Sequence, residues 1–325
     1  MTIQQQVERL IRQPHIAGTV RAAALLALLG IVITAAGGPG ALPDAFRRLR
    51  GMAYSAARNI QQDRTLRSVE GWDREESGLV RLYYSDADGD IAGTVAAYAD
   101  EAYSAIRRRL GYDTPRRLNV IMYPSFESLQ QSVPGGDSGR SVGVCWAGVV
   151  GIVSPKAWGD AFGPGGQLEL FGRYNPLHHE ITHYVLDEMT SGNCPRWFSE
   201  GLAQVEEYST TGYVWEDPAT GSTGPGSDLS LRALEREFQR EDTLNAAYLK
   251  SMWAAGRIME GLDGPGFARF TALLRQGSGF EAALRGITRL DYGGIESEWR
   301  DLQRAGASPL GRIVAGPRGK NPAEG

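Results

Sequence analysis

Cysteine is nearly absent: Cys145 and Cys194 are the only two in 325 residues. That excludes a disulfide scaffold, and the pair lacks the spacing of a structural zinc site. They read either as two buried thiols or, in an exported chain, as a single Cys145–Cys194 bridge. Positive charge is not in excess either. Lys and Arg number 34 against 38 Asp and Glu, for a net charge of -4 and a pI near 5.7. With no general basic field and no aromatic-and-basic pattern, nucleic acid is not an expected partner. Histidine is scarce as well, four in the chain and none after His183. No internal repeat is visible.

What remains is ordinary globular composition, 42% hydrophobic and 22% charged, enough for one large domain or two lobes around a cleft. The 42 glycines gather in loops such as Gly135-Gly136, Gly163 to Gly166 and Gly221 to Gly226. Such loops line sites or are surface slack, and composition alone does not separate the two.

The N-terminus reads as a targeting segment. Arg9, Arg12 and Arg21 precede an apolar run from Ala22 to Ala36, and glycines and Pro39 follow. The run suits a signal-peptide core and is short for a membrane span of about 20 residues. With its flanks included it also suits a tilted single anchor, and a buried core helix competes with both. Arg47, Arg48 and Arg50 place positive charge on the far side too, so the positive-inside rule gives no orientation. The expected location is extracytoplasmic, secreted or associated with the membrane through this segment.

Residues 1–43 are thus set apart as signal peptide or anchor, 44–78 as a polar helical linker and 306–325 as a disordered tail. Between them, 79–170 reads as a small mixed sheet with a packing helix. Val80 to Tyr84 and Leu118 to Tyr123 have strand patterns, Val142 to Val153 a strand or hairpin, and Ile91 to Leu110 helical spacing with Gly111 as its stop. Residues 171–305 are mainly helical, over 176–190, 195–208, 229–239, 244–261, 265–276 and 291–304. The fold class expected is α+β, a sheet lobe followed by a helical lobe.

The chemistry concentrates in Asn175-Pro-Leu-His-His-Glu-Ile-Thr-His-Tyr-Val-Leu-Asp187. Asn175 is a good N-cap and Pro176 fits the first helical position. His179 and His183, four residues apart, stack one turn above the other and can converge on one tetrahedral metal ion. Glu180 lies about 100° around the helix, beside the metal, where it can take a proton from an activated water. The competing reading is an amphipathic helix with solvated histidines. Catalytic zinc normally has three protein ligands, and Glu200 in Asn193-Cys-Pro-Arg-Trp-Phe-Ser-Glu-Gly-Leu-Ala-Gln204 supplies a candidate third. Ser191 and Gly192 can end the first helix and Pro195 can begin a second, so a short turn would return Glu200 to the His pair. Gly201 and Ala203 are small enough for the close backbone approach this demands. The alternative for Glu200 is an exposed helix carboxylate like Glu206 and Glu207.

HExxH followed by Pro-x-Trp-x-x-Glu-Gly-Leu-Ala resembles the gluzincin clan of metallopeptidases, and most closely the bacterial peptidase MA-like domains of thermolysin-type architecture. The likeness covers residues 79–304 and is strongest over 176–208. It implies one zinc ion held by His179, His183 and Glu200 on a helix at the cleft between the lobes, with Glu180 as general base for peptide-bond hydrolysis. The implied partner is a peptide or protein substrate. Where many thermolysin-like enzymes place an Asp to orient the first His, this chain has Gln204; Asp187 reads equally as a substitute or as a surface charge. The resemblance implies a Tyr or His as oxyanion donor besides the metal; with no histidine after His183, Tyr248 is the candidate, with a core aromatic as its alternative and Tyr213 as a weaker choice. His178 reads as structural. The resemblance also implies substrate binding along an edge strand, for which Gly148 to Val153 is the candidate. These departures leave a second reading, a degenerate peptidase fold that binds a peptide or cell-envelope partner without cutting it.

Overall fold

The computed structural model describes residues 42–133, 141–159, 166–212, 227–238, 240 and 242–307. The apolar N-terminal run, the glycines at 135–136, 163–165 and 221–226, Tyr213 and the tail beyond 307 lie outside them. Among the described residues no helix is long and apolar enough to cross a membrane.

Helix α1 (Leu42–Arg67) leads into a five-stranded mixed sheet. Its strands are β1 (Asp73–Ser77), β2 (Val80–Tyr84), β3 (Leu118–Tyr123), β4 (Gly143–Trp146) and β5 (Val149–Val153), in the order β1-β2-β3-β5-β4. β2, β3 and β5 run parallel, while β1 and β4 add antiparallel at the two edges. The parallel core is made by a crossover helix, α2 (Gly89–Leu110), whose Ile91, Val95, Ala99, Ala102, Ile106 and Leu110 recur at helical spacing and are buried. Gly111 ends it in the left-handed conformation at φ 65°. β3 and β5 are buried along nearly their whole length, as central strands with covered faces are.

Two expectations change here. The linker assigned to 44–78 is helical only as far as Arg67, and its last part is strand β1, paired with β2 from Asp73 to Ser77. The segment Gly148 to Val153 is not an edge. β5 is paired on both sides, and among the described residues β4 is the end strand on that side of the sheet.

Beyond residue 166 the described chain is helical: α4 (Gln167–Tyr174), α5 (Leu177–Thr190), α6 (Arg196–Thr211), α7 (Leu231–Glu237), α8 (Leu244–Glu260), α9 (Gly264–Arg275), α10 (Phe280–Ile287) and α11 (Tyr292–Arg304). A short α3 (Phe126–Ser132) follows β3. α3, α4 and α10, each two turns or so, are the helices that periodicity did not announce. One hydrophobic core runs through both parts, from Leu82, Val120 and Ile152 of the sheet to Trp197, Phe270 and Trp299 of the helices. α5 lies at their junction. It packs on α2 and on β4 and β5 on one side, and on α6 and α9 on the other.

Candidate metal centre

α5 begins where the Asn175 side chain accepts the Leu177 N–H at 3.1 Å, one residue later than the proline pattern predicts. Leu177, Ile181, Val185 and Leu186 are fully buried and fix the helix's rotation about its axis. That rotation leaves His179 and His183 stacked on one largely covered face, ring centroids 4.8 Å apart. Ser191 (φ 52°) and Gly192 (φ 69°) then reverse the chain. Ser191, unlike glycine, pays for that left-handed backbone with local strain.

α6 starts after Pro195 and is anchored at once by Trp197 and Phe198, both buried. Trp197 meets Phe280 and Tyr292 edge-on, and Phe198 meets Phe270 and Phe280. Edge-to-face rings of this kind fix position as well as bury area. The residues just before Glu200 thus set where it points. Glu200 Oε2 lies 3.6 Å from His179 Nε2 and 3.5 Å from His183 Nε2. One ligand atom from each of the three residues falls within 4.8 Å of the others, and the group could hold a metal ion.

The electrostatics favour a cation there. Burial works against a charged His179, but the Glu200 and Glu207 carboxylates more than offset it and hold the imidazole well above its usual range. Burial likewise works against a charged Glu200, and His183 and His179 hold it well below the carboxylate range. A site that stabilises positive charge on the rings in this way would also stabilise a dication between them.

The second nitrogens of the rings are held too. His179 Nδ1 is 3.2 Å from Glu207 Oε2, and His183 Nδ1 is 2.7 Å from Ser199 Oγ. Neither partner was expected. Glu206 and Glu207 are not exposed carboxylates but buried ones, each 2% exposed. The signal was available in part, because Glu207 stands two turns beyond Glu200 on the same face of α6. Gln204 is buried on that helix, while Asp187 is neither an orienter of His183 nor a free surface charge. It accepts from Tyr54 and pairs with Arg58 Nε at 2.6 Å. His178 is half-buried beside Glu207 and Arg109, and burial pushes it down to about 4. Gly201 permits a close approach, but to α8. A Cβ there would lie 2.1 Å from the Ser251 carbonyl oxygen.

Glu180 is 8% exposed. Burial raises its carboxyl, with the two imidazoles pulling it back and Glu200 and Glu207 adding to the rise. Gly143 lies against it. A Cβ on that residue would come within 2.9 Å of the Glu180 Cγ and 2.7 Å of Pro176, so rim strand β4 sits directly beside this carboxylate. His179, Glu180, His183, Glu200, Ser199 and Tyr248 share one pocket of about 970 Å³. Tyr248 also packs edge-on against Phe238, ring centroids 5.1 Å apart. The Cys145–Cys194 bridge is not formed. Both thiols are free, both line this pocket, and Cys194 Sγ turns to the Pro195 carbonyl at 3.7 Å.

No family model and no curated protein matches the chain significantly, so the functional reading stands on this geometry.

Proposed function

We propose that this protein is a zinc-dependent peptide-bond hydrolase, with His179, His183 and Glu200 as zinc ligands and Glu180 as general base. One observation carries the reading. Tetrahedral ligands about 2.1 Å from a zinc ion stand about 3.4 Å from one another, and the Glu200 oxygen is 3.5 and 3.6 Å from the two imidazole nitrogens. Two nitrogens and a carboxylate oxygen also leave a fourth position free, as catalytic zinc requires and structural zinc does not. When bound, zinc supplies a Lewis acid that polarises a carbonyl and brings the pKa of water toward about 7.

The chain's own groups do the rest. Glu180, desolvated and next to His179 but turned off the ligand face, is placed to take a proton from the attacking water and pass it to the leaving amine. Glu207 and Ser199 keep both imidazoles aimed. Tyr248, in the same pocket, is the candidate donor to the developing oxyanion. β4, beside Glu180, is an end strand of the sheet among the described residues and offers an edge along which an extended peptide can lie. An exported or membrane-associated setting fits the apolar run at the N-terminus.

Glu180→Gln tests the assignment. The amide keeps the shape of the side chain but cannot accept the proton, so hydrolysis of a peptide library should fall by at least about a hundredfold while zinc content stays at that of the wild type. Undiminished turnover would remove Glu180 from the mechanism. A binding module without catalysis would show zinc and peptide affinity but no chelator-sensitive cleavage in the wild type.

A further inference from the structure

α1 has the surface of a strap rather than of a core helix. None of its residues from 50 to 67 is buried, and Met52 and Ile60 are exposed outright. What holds it is polar and local. Arg58, its side chain only 8% exposed, pairs with Asp187 at 2.6 Å and with Glu188, both in the last turn of α5. Tyr54 donates to Asp187, and Arg50 donates to Asn193 in the turn between α5 and α6. At the other side Gln62 Nε2 donates to the Gly148 carbonyl at 2.7 Å, in the tight turn between β4 and β5. Two glycines make room. A Cβ at Gly148 (φ 78°) would come within 2.6 Å of the Arg58 guanidinium, and one at Gly192 (φ 69°) within 2.3 Å of the Tyr54 ring.

These contacts place α1 across one end of the metal pocket. The first residue of β4, Gly143, touches Pro176 and Glu180 at the start of α5. The turn that ends β4, at Gly148, touches Arg58, which pairs with Asp187 near the end of α5. Strand and helix therefore run side by side, with Glu180 at one end and α1 at the other. Tyr54, Ala57, Arg58 and Gln61 form part of the pocket wall. Leu66 and Val69, just after the latch, pack against the core, so a lifted α1 stays tethered there.

We propose that α1 is a specificity-determining strap, latched by Arg58 on Asp187 and Glu188, that closes the Trp146–Gly148 end of the trough between β4 and α5. Docked, it admits a short or terminal peptide segment. Lifted, it admits a polypeptide that runs through. This selectivity rests on the hydrolase reading given above, but the closure itself does not. The latch sets one guanidinium between two largely buried carboxylates, and its removal leaves Asp187 without its cation and Glu188 with the more distant Arg116 at 3.5 Å. Residues 50–65 are then held by the Tyr54 ring against Gly192 and by Gln62 on the Gly148 carbonyl, with no buried residue among them.

The free thiols report closure without any catalysis. Cys145 and Cys194 line the same pocket as Tyr54 and Arg58. The Arg58 charge favours the Cys145 thiolate, so its loss alone would slow alkylation. In the full chain carrying Glu180→Gln, adding Arg58→Ala should instead raise the rate of Cys145 modification by N-ethylmaleimide about tenfold or more, read by mass spectrometry. Tyr54→Ala, which leaves the arginine in place, should act in the same direction. A cooperative thermal melt in each variant shows that the fold is kept. With Glu180 intact, Arg58→Ala should raise hydrolysis of an unfolded protein relative to a five-residue peptide several-fold. Unchanged or slower alkylation in both variants would overturn the strap. Faster alkylation without a change in the substrate ratio of an active enzyme would overturn its role in selectivity. If no form of the protein cleaves peptides, the hydrolase reading and the selectivity fall together, and alkylation still decides closure.

Discussion

A histidine ligand has two ring nitrogens, and the one that faces away from the ion has to be held or the ring turns. In this chain Glu207 and Ser199 do the holding, at 3.2 and 2.7 Å. Loss of such a partner commonly weakens a metal site 10- to 100-fold. Glu207→Ala should therefore lower zinc affinity by about that factor in a competition with a chromogenic chelator, and Ser199→Ala by less, because a hydroxyl adds no charge. Equal affinity in all three proteins would mean that the two contacts are incidental. The candidate ligand pair itself was legible in the sequence, because two histidines four apart on one helix must share a face. Their partners were not. Which face of α6 meets α5 depends on how the two helices cross, and that is set by Trp197 and Phe198 in an aromatic cluster assembled from distant segments. Asp187 misled for the same reason, since its partners Tyr54 and Arg58 come from a helix more than a hundred positions upstream.

Among the elements, α6 and α8 pack closely near the site, and their contact depends on Gly201. A Cβ placed there would meet the Ser251 carbonyl at 2.1 Å, and backbone cannot yield as a side chain tip can. Gly201→Ala should cost about 3 kcal/mol or more, visible as a lower midpoint in urea unfolding, and it should shift Glu200 as well. A variant as stable as the wild type would show that the two helices can part without penalty. The strands β2 and β3 were readable because β-branched and aromatic runs between turn residues admit little else. β1 escaped, since Asp73-Arg-Glu-Glu-Ser77 carries no apolar residue to mark it as a strand, and its pairing with β2 is what makes it one. The order of the sheet was not readable either. The hairpin reading of Val142 to Val153 allowed for the pairing of β4 with β5, but not for β3 on the other side of β5, which among the described residues puts β4 at the end of the sheet.

At the scale of the whole molecule, α6 also ties the site to the sheet side of the fold. Glu206 lies against Arg109 at the end of α2, 2.9 Å from its Nε. Burial raises the Glu206 carboxyl from 4.5 to about 7, with Arg109 offsetting part of the rise. Between those values the folded chain binds more protons than the unfolded one. The contribution of this group is then full below pH 4.5 and is lost as pH rises through about 7. Glu206→Gln removes the effect. Its unfolding free energy should gain on the wild type between pH 5 and pH 8 by up to about 3 kcal/mol, and a difference that does not vary with pH would mean that Glu206 is ionised throughout. The division into a sheet part and a helical part followed from periodicity, since strand patterns end near residue 155 and helical spacing alone continues beyond 170. What the sequence could not supply is the juxtaposition of α1 with the metal pocket, because polar helices carry no apolar stripe to announce what they cover.

Metal content decides the central claim. Purified protein equilibrated with zinc and then desalted should contain one zinc ion per chain by plasma mass spectrometry, and Glu200→Ala should lose most of it while keeping a cooperative unfolding transition. Wild-type protein that binds no zinc, or a Glu200→Ala variant that keeps its full complement, would contradict the account.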